Sequence, residues 1–298
     1  MKFPTVEQYL HALQAPDVTV LDPVLARGTV ELSPIGVPLA RMGGFSLTFK
    51  VISDERTYAL RCLLKDRPTF AERMMGLNNQ FGAEFPTPLA PFTWLEQGLG
   101  LNGRDFPAIR MDWVSGDPLG IHLEKTHRDV EELIRLRREL RACAHALHEV
   151  GIAHGDLHTF NIHVQSDGAL RLIDYDAYFS TSIAHLGPLE AGHGNFQHPM
   201  RAELRLFGPN LDSFSFIALD TALACLQEDP SLWEYTASGA EALLFRADDF
   251  ADPQSSRVFE RVRALPGTAQ QVRSLMQLAQ SDPRDLPLPL DLLPELAH

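Results

Sequence analysis

The segment HGDLHTFN, residues 154–161, carries an aspartate and an asparagine five residues apart, and a second aspartate follows at Asp174. Phosphoryl transfer to a hydroxyl group needs a carboxylate that orients the acceptor and ligands that hold a divalent metal against the phosphates. Asp156 is the candidate for the first role. Asn161 and Asp174 are candidates for the second, since amide and carboxylate oxygens suit Mg²⁺ or Mn²⁺. The spacing therefore predicts a metal-assisted phosphoryl-transfer site.

A β-hairpin must bring the two metal-ligand candidates together. In NIHVQSDGALRLID, two short β-favouring runs flank Asp167 and Gly168, a strong hairpin signal. Asn161 lies just before the first run and Asp174 follows the second. We therefore expect the hairpin to place them side by side.

The rest of the chain falls into three predicted regions. Thr5 and Gln8 form a capping box ahead of a short amphipathic helix. Short β-favouring runs broken by glycine and proline follow, interrupted by one helix-compatible stretch at residues 68–81. After Gly116 the pattern is mostly helical, and the C-terminus is rich in proline and leucine. The predicted domains are a helical extension (1–30), a strand-rich lobe (31–113) and a helical lobe with its tail (114–298).

Composition limits the classes of partner and the cellular compartment that we expect for this protein. The 26 Lys and Arg against 39 Asp and Glu give a formal charge of -13, which disfavours nucleic acid and anionic membranes as partners. The three cysteines form no CxxC pair, so each is expected to be a buried small hydrophobe. No signal peptide or membrane span is predicted. We expect a cytoplasmic protein.

The motif around Asp156 resembles that of the protein-kinase superfamily. HGDLHTFN stands where the family has HRDLxxxN, and Asp174-Tyr175-Asp176 stands where it has DFG. This resemblance implies an α+β bilobal protein-kinase-like fold, ATP with Mg²⁺ as cofactors, and a protein substrate or partner. It also implies that His154 is structural and that Asp212, in LDSFSFIAL, braces the loop.

The same resemblance assigns nucleotide contacts in the strand-rich lobe. RMGGFS resembles a sparse glycine-rich phosphate loop, YALR resembles the VAIK strand, and MDWV resembles the gatekeeper and hinge. Arg61 occupies the usual lysine position, and a planar guanidinium is not equivalent to an ammonium group. Glu72 is its expected acidic partner. The implied nucleotide-binding residues are Gly43, Gly44, Phe45, Ala59, Arg61, Glu72, Met111, Asp112 and Val114.

A closer resemblance is to bacterial kinase-like proteins, some of them associated with tellurite-resistance gene clusters. It is carried by Tyr9, Ala12, Gln14, Pro16, ALRC (59–62), AHGD (153–156), DYD (174–176) and GHGNFQHP (192–199). This kinship implies that Arg61 is a trait of the subfamily.

Three hypotheses about function follow, and a metal hydrolase is a further alternative. The first is a Ser/Thr protein kinase. The second is a small-molecule kinase, because aminoglycoside and choline phosphotransferase-like enzymes also have the sequence HGDLH in this loop. The third is a nucleotide-binding pseudokinase scaffold. In the metal-hydrolase alternative, His154, His158 and His163 would join Asp156, Asp174 and Asp176 as ligands of zinc or iron.

Overall fold

The computed structural model describes residues 2–53, 56–82, 85–239 and 241–287. The strands are β1 (Thr29–Val30), β2 (Ala40–Met42), β3 (Ser46–Ile52), β4 (Thr57–Leu63), β5 (Phe92–Leu101), β6 (Arg104–Asp112), β7 (Asp117–Pro118), β8 (Ile162–Val164) and β9 (Leu170–Leu172). The helices are α1 (Val6–Ala12), α2 (Pro16–Thr19), α3 (Phe70–Phe81), α4 (Leu119–Thr126), α5 (Val130–Glu149), α6 (Arg201–Leu204), α7 (Ser213–Glu228), α8 (Leu232–Tyr235), α9 (Ala247–Ala251), α10 (Arg257–Val262) and α11 (Ala269–Ala279). Short 3₁₀ helices occur at Thr181–Leu186, Gly194–Phe196 and Pro283–Asp285. The end of the predicted Pro/Leu-rich tail, residues 288–298, lies outside the described residues.

The chain divides into two compact units. Unit 1 comprises Met1–Phe85 and Ala90–Trp113, and unit 2 comprises Pro86–Leu89 and Val114–His298. Unit 1 contains an antiparallel sheet of six strands, ordered β1-β3-β4-β6-β5 with β2 also paired to β3. Unit 2 is mostly helical. The predicted mixed α+β class is therefore confirmed.

The N-terminal helix α1 packs into the core of unit 1. Its capping box forms as predicted, with the Thr5 hydroxyl accepting from the Gln8 N–H at 3.3 Å and the Gln8 side chain accepting from the Thr5 N–H at 2.9 Å. Tyr9 is fully buried, and its hydroxyl donates to the carbonyl oxygen of Leu63 on β4 at 2.7 Å. Residues near the N-terminus are thus part of the unit that contains the sheet.

The core of unit 2 is formed around α5 and α7. The apolar stripe of α5 is buried as predicted, with Leu133, Leu136 and Leu140 almost fully inaccessible. Helix α7 is buried along nearly its whole length, which its composition of alanine, leucine and phenylalanine allows. The predicted hairpin is also present, because β8 pairs antiparallel with β9. These elements hold the loop at residues 154–161 from two sides.

Membrane-crossing segments are not found among the described helices, because none is both long and apolar enough. The cysteines Cys62, Cys143 and Cys225 are free and buried, as their spacing predicted.

Candidate functional site

The backbone of the loop at residues 154–161 in unit 2 is hydrogen-bonded to the side chain of Asp212. This residue immediately precedes α7, and its carboxylate accepts hydrogen bonds from the backbone N–H groups of His154 and Gly155, the latter at 2.7 Å. Burial raises the pKa of the Asp212 carboxyl, while the backbone N–H groups of Gly155 and His154 act in the opposite direction. Asp212 therefore makes the bracing contact that the kinase resemblance led us to expect.

The side chain of His154 connects two segments of the site. Its imidazole is fully buried, with Nε2 at 2.8 Å from the carbonyl oxygen of Ile173 and Nδ1 at 3.2 Å from the backbone nitrogen of Asp156. A carbonyl oxygen can only accept and an amide N–H can only donate, so these partners select the neutral tautomer protonated at Nε2. His154 thus has both ring nitrogens committed to the backbone.

Asn161 completes a ring of hydrogen bonds with the same segments. Its side-chain amide donates to the carbonyl oxygen of Asp156 at 2.9 Å and approaches the Asp156 carboxylate at 3.3 Å. The main-chain carbonyl oxygen of Asn161 accepts a hydrogen bond from the backbone N–H of Ile173 at 3.0 Å. Because Nδ2 is engaged in this way, the amide oxygen of Asn161 is left to serve as a metal ligand.

Asp174 follows Ile173 directly and has a left-handed backbone, with φ of 71°. A residue with a Cβ in this region costs about 1–3 kcal/mol, and such strain is concentrated at functional sites. The hairpin of β8 and β9 and the Ile173 hydrogen bonds fix the chain on the N-terminal side of Asp174. The prediction that the hairpin positions Asn161 and Asp174 thus has a structural basis.

Gly155 occupies the position where protein kinases have the arginine of HRD. Its φ is +80°, and a Cβ added here would lie 2.3 Å from the carbonyl oxygen of Ala177. Any other residue would force the backbone of one of these segments to move. Local packing therefore requires glycine at this position.

A second segment covers the Asp156 carboxylate, which the sequence did not predict. The backbone N–H of His193 donates to Oδ1 of Asp156 at 2.7 Å. Gly192 makes this approach possible, because its φ is +74° and an added Cβ would lie 2.9 Å from that same oxygen. In the sequence, the motif GHGNFQHP contributed only to the resemblance to bacterial kinase-like proteins. Its two histidine-flanking glycines were the available signal for a close approach.

His158 approaches the second carboxylate oxygen of Asp156, with Nε2 at 3.6 Å from Oδ2. Its Nδ1 accepts from the Phe160 N–H at 3.2 Å, so the proton is on the nitrogen nearer Asp156. Burial lowers the pKa of His158, against the opposing effect of the Asp156 charge. The rings of His193 and Phe196 lie 5.4 Å and 6.0 Å from it. Asp156 is therefore flanked on this side by aromatic rings.

The donor set of Asn161 and Asp174 fits a hard divalent cation such as Mg²⁺, which takes few protein ligands and retains several waters. A metal-hydrolase cluster has no such support: across the part of the chain that the structure describes, no three His, Cys, Asp or Glu side chains are grouped to hold a metal.

In unit 1, the predicted phosphate loop connects β2 to β3. Gly43 donates from its N–H to the carbonyl oxygen of Ser46 at 2.9 Å, and Gly44 has open space around its Cβ position. Phe45 is buried, with its ring 5.3 Å from that of Phe70. Phe45 therefore packs against Phe70 and does not project from the loop.

Ala59 and Arg61 lie on β4, the strand between β3 and β6. Both are buried, and the Arg61 Nε donates to the Ser46 hydroxyl at 2.8 Å. The guanidinium of Arg61 also lies 5.0 Å from the centre of the Phe45 ring. Arg61 is thus oriented toward the start of β3, next to the glycine pair.

Glu72 lies in the first turn of α3, the helix predicted at residues 68–81. It is exposed, and its charge favours the protonated form of the adjacent Arg73, whose pKa is lowered mainly by burial. Its pairing with Arg61 stays a prediction.

The predicted gatekeeper and hinge residues lie at the end of β6 and after it. Met111 is buried and pairs with Ala59 across the sheet. Asp112 donates its backbone N–H to the carbonyl oxygen of Pro91 at 2.9 Å. Val114 is the first residue of unit 2 after the boundary. Trp113 lies between Asp112 and Val114 in the chain. The guanidinium of Arg41 lies 4.6 Å from the centre of its ring, a contact that the sequence did not predict.

Comparison with known proteins adds no assignment. No protein-family model matches this chain, and no curated protein matches it either.

Proposed function

We propose that this chain is an ATP- and Mg²⁺-dependent phosphotransferase with a bilobal protein-kinase-like fold, in which unit 1 is the N-lobe and unit 2 the C-lobe. Asp156 orients the acceptor hydroxyl, and Asn161 and Asp174 hold the metal. The first acceptor class to test is a Ser or Thr hydroxyl on a protein.

One observation carries the proposal: the hydrogen-bond ring that joins Asp156, Asn161 and Ile173 through His154. In-line phosphoryl transfer depends on rigid positioning more than on covalent chemistry. The ring fixes the loop that carries the acceptor carboxylate against the strand that leads to Asp174. Asp212 supports it with buried hydrogen bonds, one of 2.7 Å to Gly155.

Each residue has a defined chemical task in this proposal. Asp156 accepts a hydrogen bond from the attacking hydroxyl and takes up its proton as the bond to phosphorus forms. The His193 N–H fixes the rotamer of that carboxylate by donating to Oδ1. A bound Mg²⁺ would neutralise the charge of the phosphates. Arg61 contributes a permanent positive charge toward the nucleotide phosphates.

A small-molecule kinase is the second candidate, and His158 favours it. Protein kinases usually have a lysine here, whereas this chain has a neutral imidazole 3.6 Å from the Asp156 carboxylate. The aromatic surface around His158 suits a compact acceptor as well as a peptide. ADP release measured with a metabolite panel and with protein substrates separates the two acceptor classes.

The test of nucleotide use combines a melting curve with a turnover assay, each with and without Mg²⁺. ATP and Mg²⁺ together should raise the melting temperature by mass action, and ADP should form. Asp174→Asn is the informative variant, because asparagine tolerates the left-handed backbone and only the charge is lost. We expect this variant to lose turnover. Stabilisation by ATP with no turnover under any condition would instead support the pseudokinase scaffold.

A further inference from the structure

Unit 2 contains a cavity of about 220 Å³ formed by the segment after α6, the start of α7 and the 3₁₀ turn at Pro283–Asp285. Its walls are mostly apolar, and one buried cation lines it. The residues that matter for its chemistry are Arg201, Phe207, Leu211, Phe214, Arg284 and Leu286.

Arg201 is an unusual residue to find in such a wall. It is 3% exposed, and Nη1 donates to the side-chain oxygen of Gln197. Its Nε makes no hydrogen bond to any residue in the described parts of the chain. A buried N–H of a charged group without an acceptor is energetically unfavourable. The guanidinium therefore has unused capacity for an acceptor.

Two other polar side chains of the cavity, His198 and Arg284, are already engaged. The ring nitrogens of His198 lie 3.0 Å from the Leu278 carbonyl oxygen and 3.2 Å from the Met200 nitrogen. Arg284 donates from Nε to the Asp282 carboxylate at 2.9 Å. Arg201 is consequently the group most able to bind a new acceptor in this cavity.

The size and lining define the ligand class. An apolar cavity of about 150 Å³ accommodates benzene, so this larger volume has room for an aromatic ring with a short substituent. Guanidinium groups bind carboxylates through charge-assisted and often bidentate hydrogen bonds. We propose that the cavity binds a small aromatic carboxylate, with the ring against Phe207, Leu211 and Phe214 and the carboxylate on Arg201.

Calorimetric titration of the full chain with phenylacetate and with phenylacetamide tests this site. The two probes have nearly the same shape and differ in charge, so the amide should bind at least about tenfold more weakly. Equal affinities, or no saturable binding of phenylacetate, would overturn the proposal.

Two variants locate the binding, and a third serves as control. Arg201→Met should abolish phenylacetate binding. Gly208 lines the same cavity, and a Cβ built there meets no heavy atom within 4 Å, so Gly208→Phe adds a side chain to the wall without disturbing Arg201. It should weaken phenylacetate binding by about tenfold or more. Arg273→Gln, on an exposed arginine of α11, should have no effect.

Unchanged affinity in a folded Arg201→Met variant contradicts the proposed carboxylate contact. If that variant does not fold, unchanged affinity in Gly208→Phe contradicts the proposed location.

Discussion

The imidazole of His154 donates from Nε2 to the carbonyl oxygen of Ile173 at 2.8 Å, which ties the 154–161 loop to the residue directly before Asp174. The imidazole is fully buried, and its second hydrogen bond, at Nδ1, leaves His154 without a free ring nitrogen. Because both ring nitrogens are hydrogen-bonded, we assign His154 a structural role. In the proposed function, Asp156 is the residue that contacts the acceptor hydroxyl.

Replacing Asp212 with alanine tests the support of this loop. The change leaves the buried N–H groups of His154 and Gly155 without their acceptor, at about 1–3 kcal/mol each. We expect the free energy of unfolding in urea to fall by roughly 2–5 kcal/mol. Asp248→Ala, on an exposed carboxylate of α9, is the matched control and should change stability by less than about 0.5 kcal/mol. Equal effects of the two changes would refute the supporting role.

Replacing Gly192 with alanine tests the cover over Asp156. The added Cβ would lie 2.9 Å from Oδ1 of Asp156 in a backbone region that alanine disfavours by roughly 1–2 kcal/mol. We expect at least about a tenfold loss of phosphoryl transfer, equivalent to about 1.4 kcal/mol, together with a lower melting temperature. Gly194→Ala is the control, since the nearest atom to its Cβ lies 3.9 Å away. Full activity in Gly192→Ala would show that the segment does not position Asp156.

Stability should decrease on acidification because burial lowers the pKa values of His158, His163 and His198. Each binds a proton in the unfolded chain near its ordinary pKa of about 6.5 and only at lower pH in the folded chain. The unfolded state therefore gains protons first, and stability is lost as the pH falls below about 6.5.

Urea unfolding at about pH 7.5 and about pH 5.5 measures this loss, which should be on the order of 1 kcal/mol per histidine per pH unit. His198→Gln should flatten the dependence, whereas His145→Gln, on an exposed side chain of α5, should not. A slope unaffected by His198→Gln would contradict the assignment.

Arg61 should contribute to nucleotide affinity. Its guanidinium is held by the Ser46 hydroxyl at 2.8 Å beside the glycine pair, which places positive charge where phosphates are expected. Arg61→Met should raise the KM for ATP by about tenfold or more, as loss of one charge-assisted contact predicts. Arg104→Met, on an exposed residue of β6, is the control. Unaltered KM in steady-state kinetics would remove Arg61 from the nucleotide site.

The cysteines should be unreactive in the folded protein. Burial raises the pKa of Cys143 and of Cys225 to about 12, and it raises that of Cys62 as well. Thiolate is the reactive form, so an aromatic disulfide reagent should modify these thiols only after unfolding in urea. Rapid modification without denaturant would contradict the buried placement.

Local patterns predicted the elements that short-range chemistry determines. The capping box of Thr5, the stripe of α5 and the hairpin at Asp167 and Gly168 each depend on residues close in sequence. The hairpin between β5 and β6 also has a local signal, the pair Asn102 and Gly103.

Long-range contacts were harder to predict. The His193 N–H reaches Asp156 from 37 residues away, and no spacing rule encodes such a contact. The orientation of Phe45 was also difficult to predict, because a phenylalanine in a loop can either project into solvent or pack inward. Its inward orientation depends on contacts with Phe70 and Arg61. Motifs therefore suggest Asp156, Asn161 and Asp174 as candidates but do not predict which residues surround them.

The role proposed for Asp156 can be measured as transfer of label from γ-labelled ATP with Mg²⁺, to the protein itself or to an added acceptor. We expect transfer by the native chain and by Asp248→Ala, and none above background by Asp156→Ala. Transfer that persists in a folded Asp156→Ala variant would contradict the assignment of Asp156 as the acceptor-orienting carboxylate.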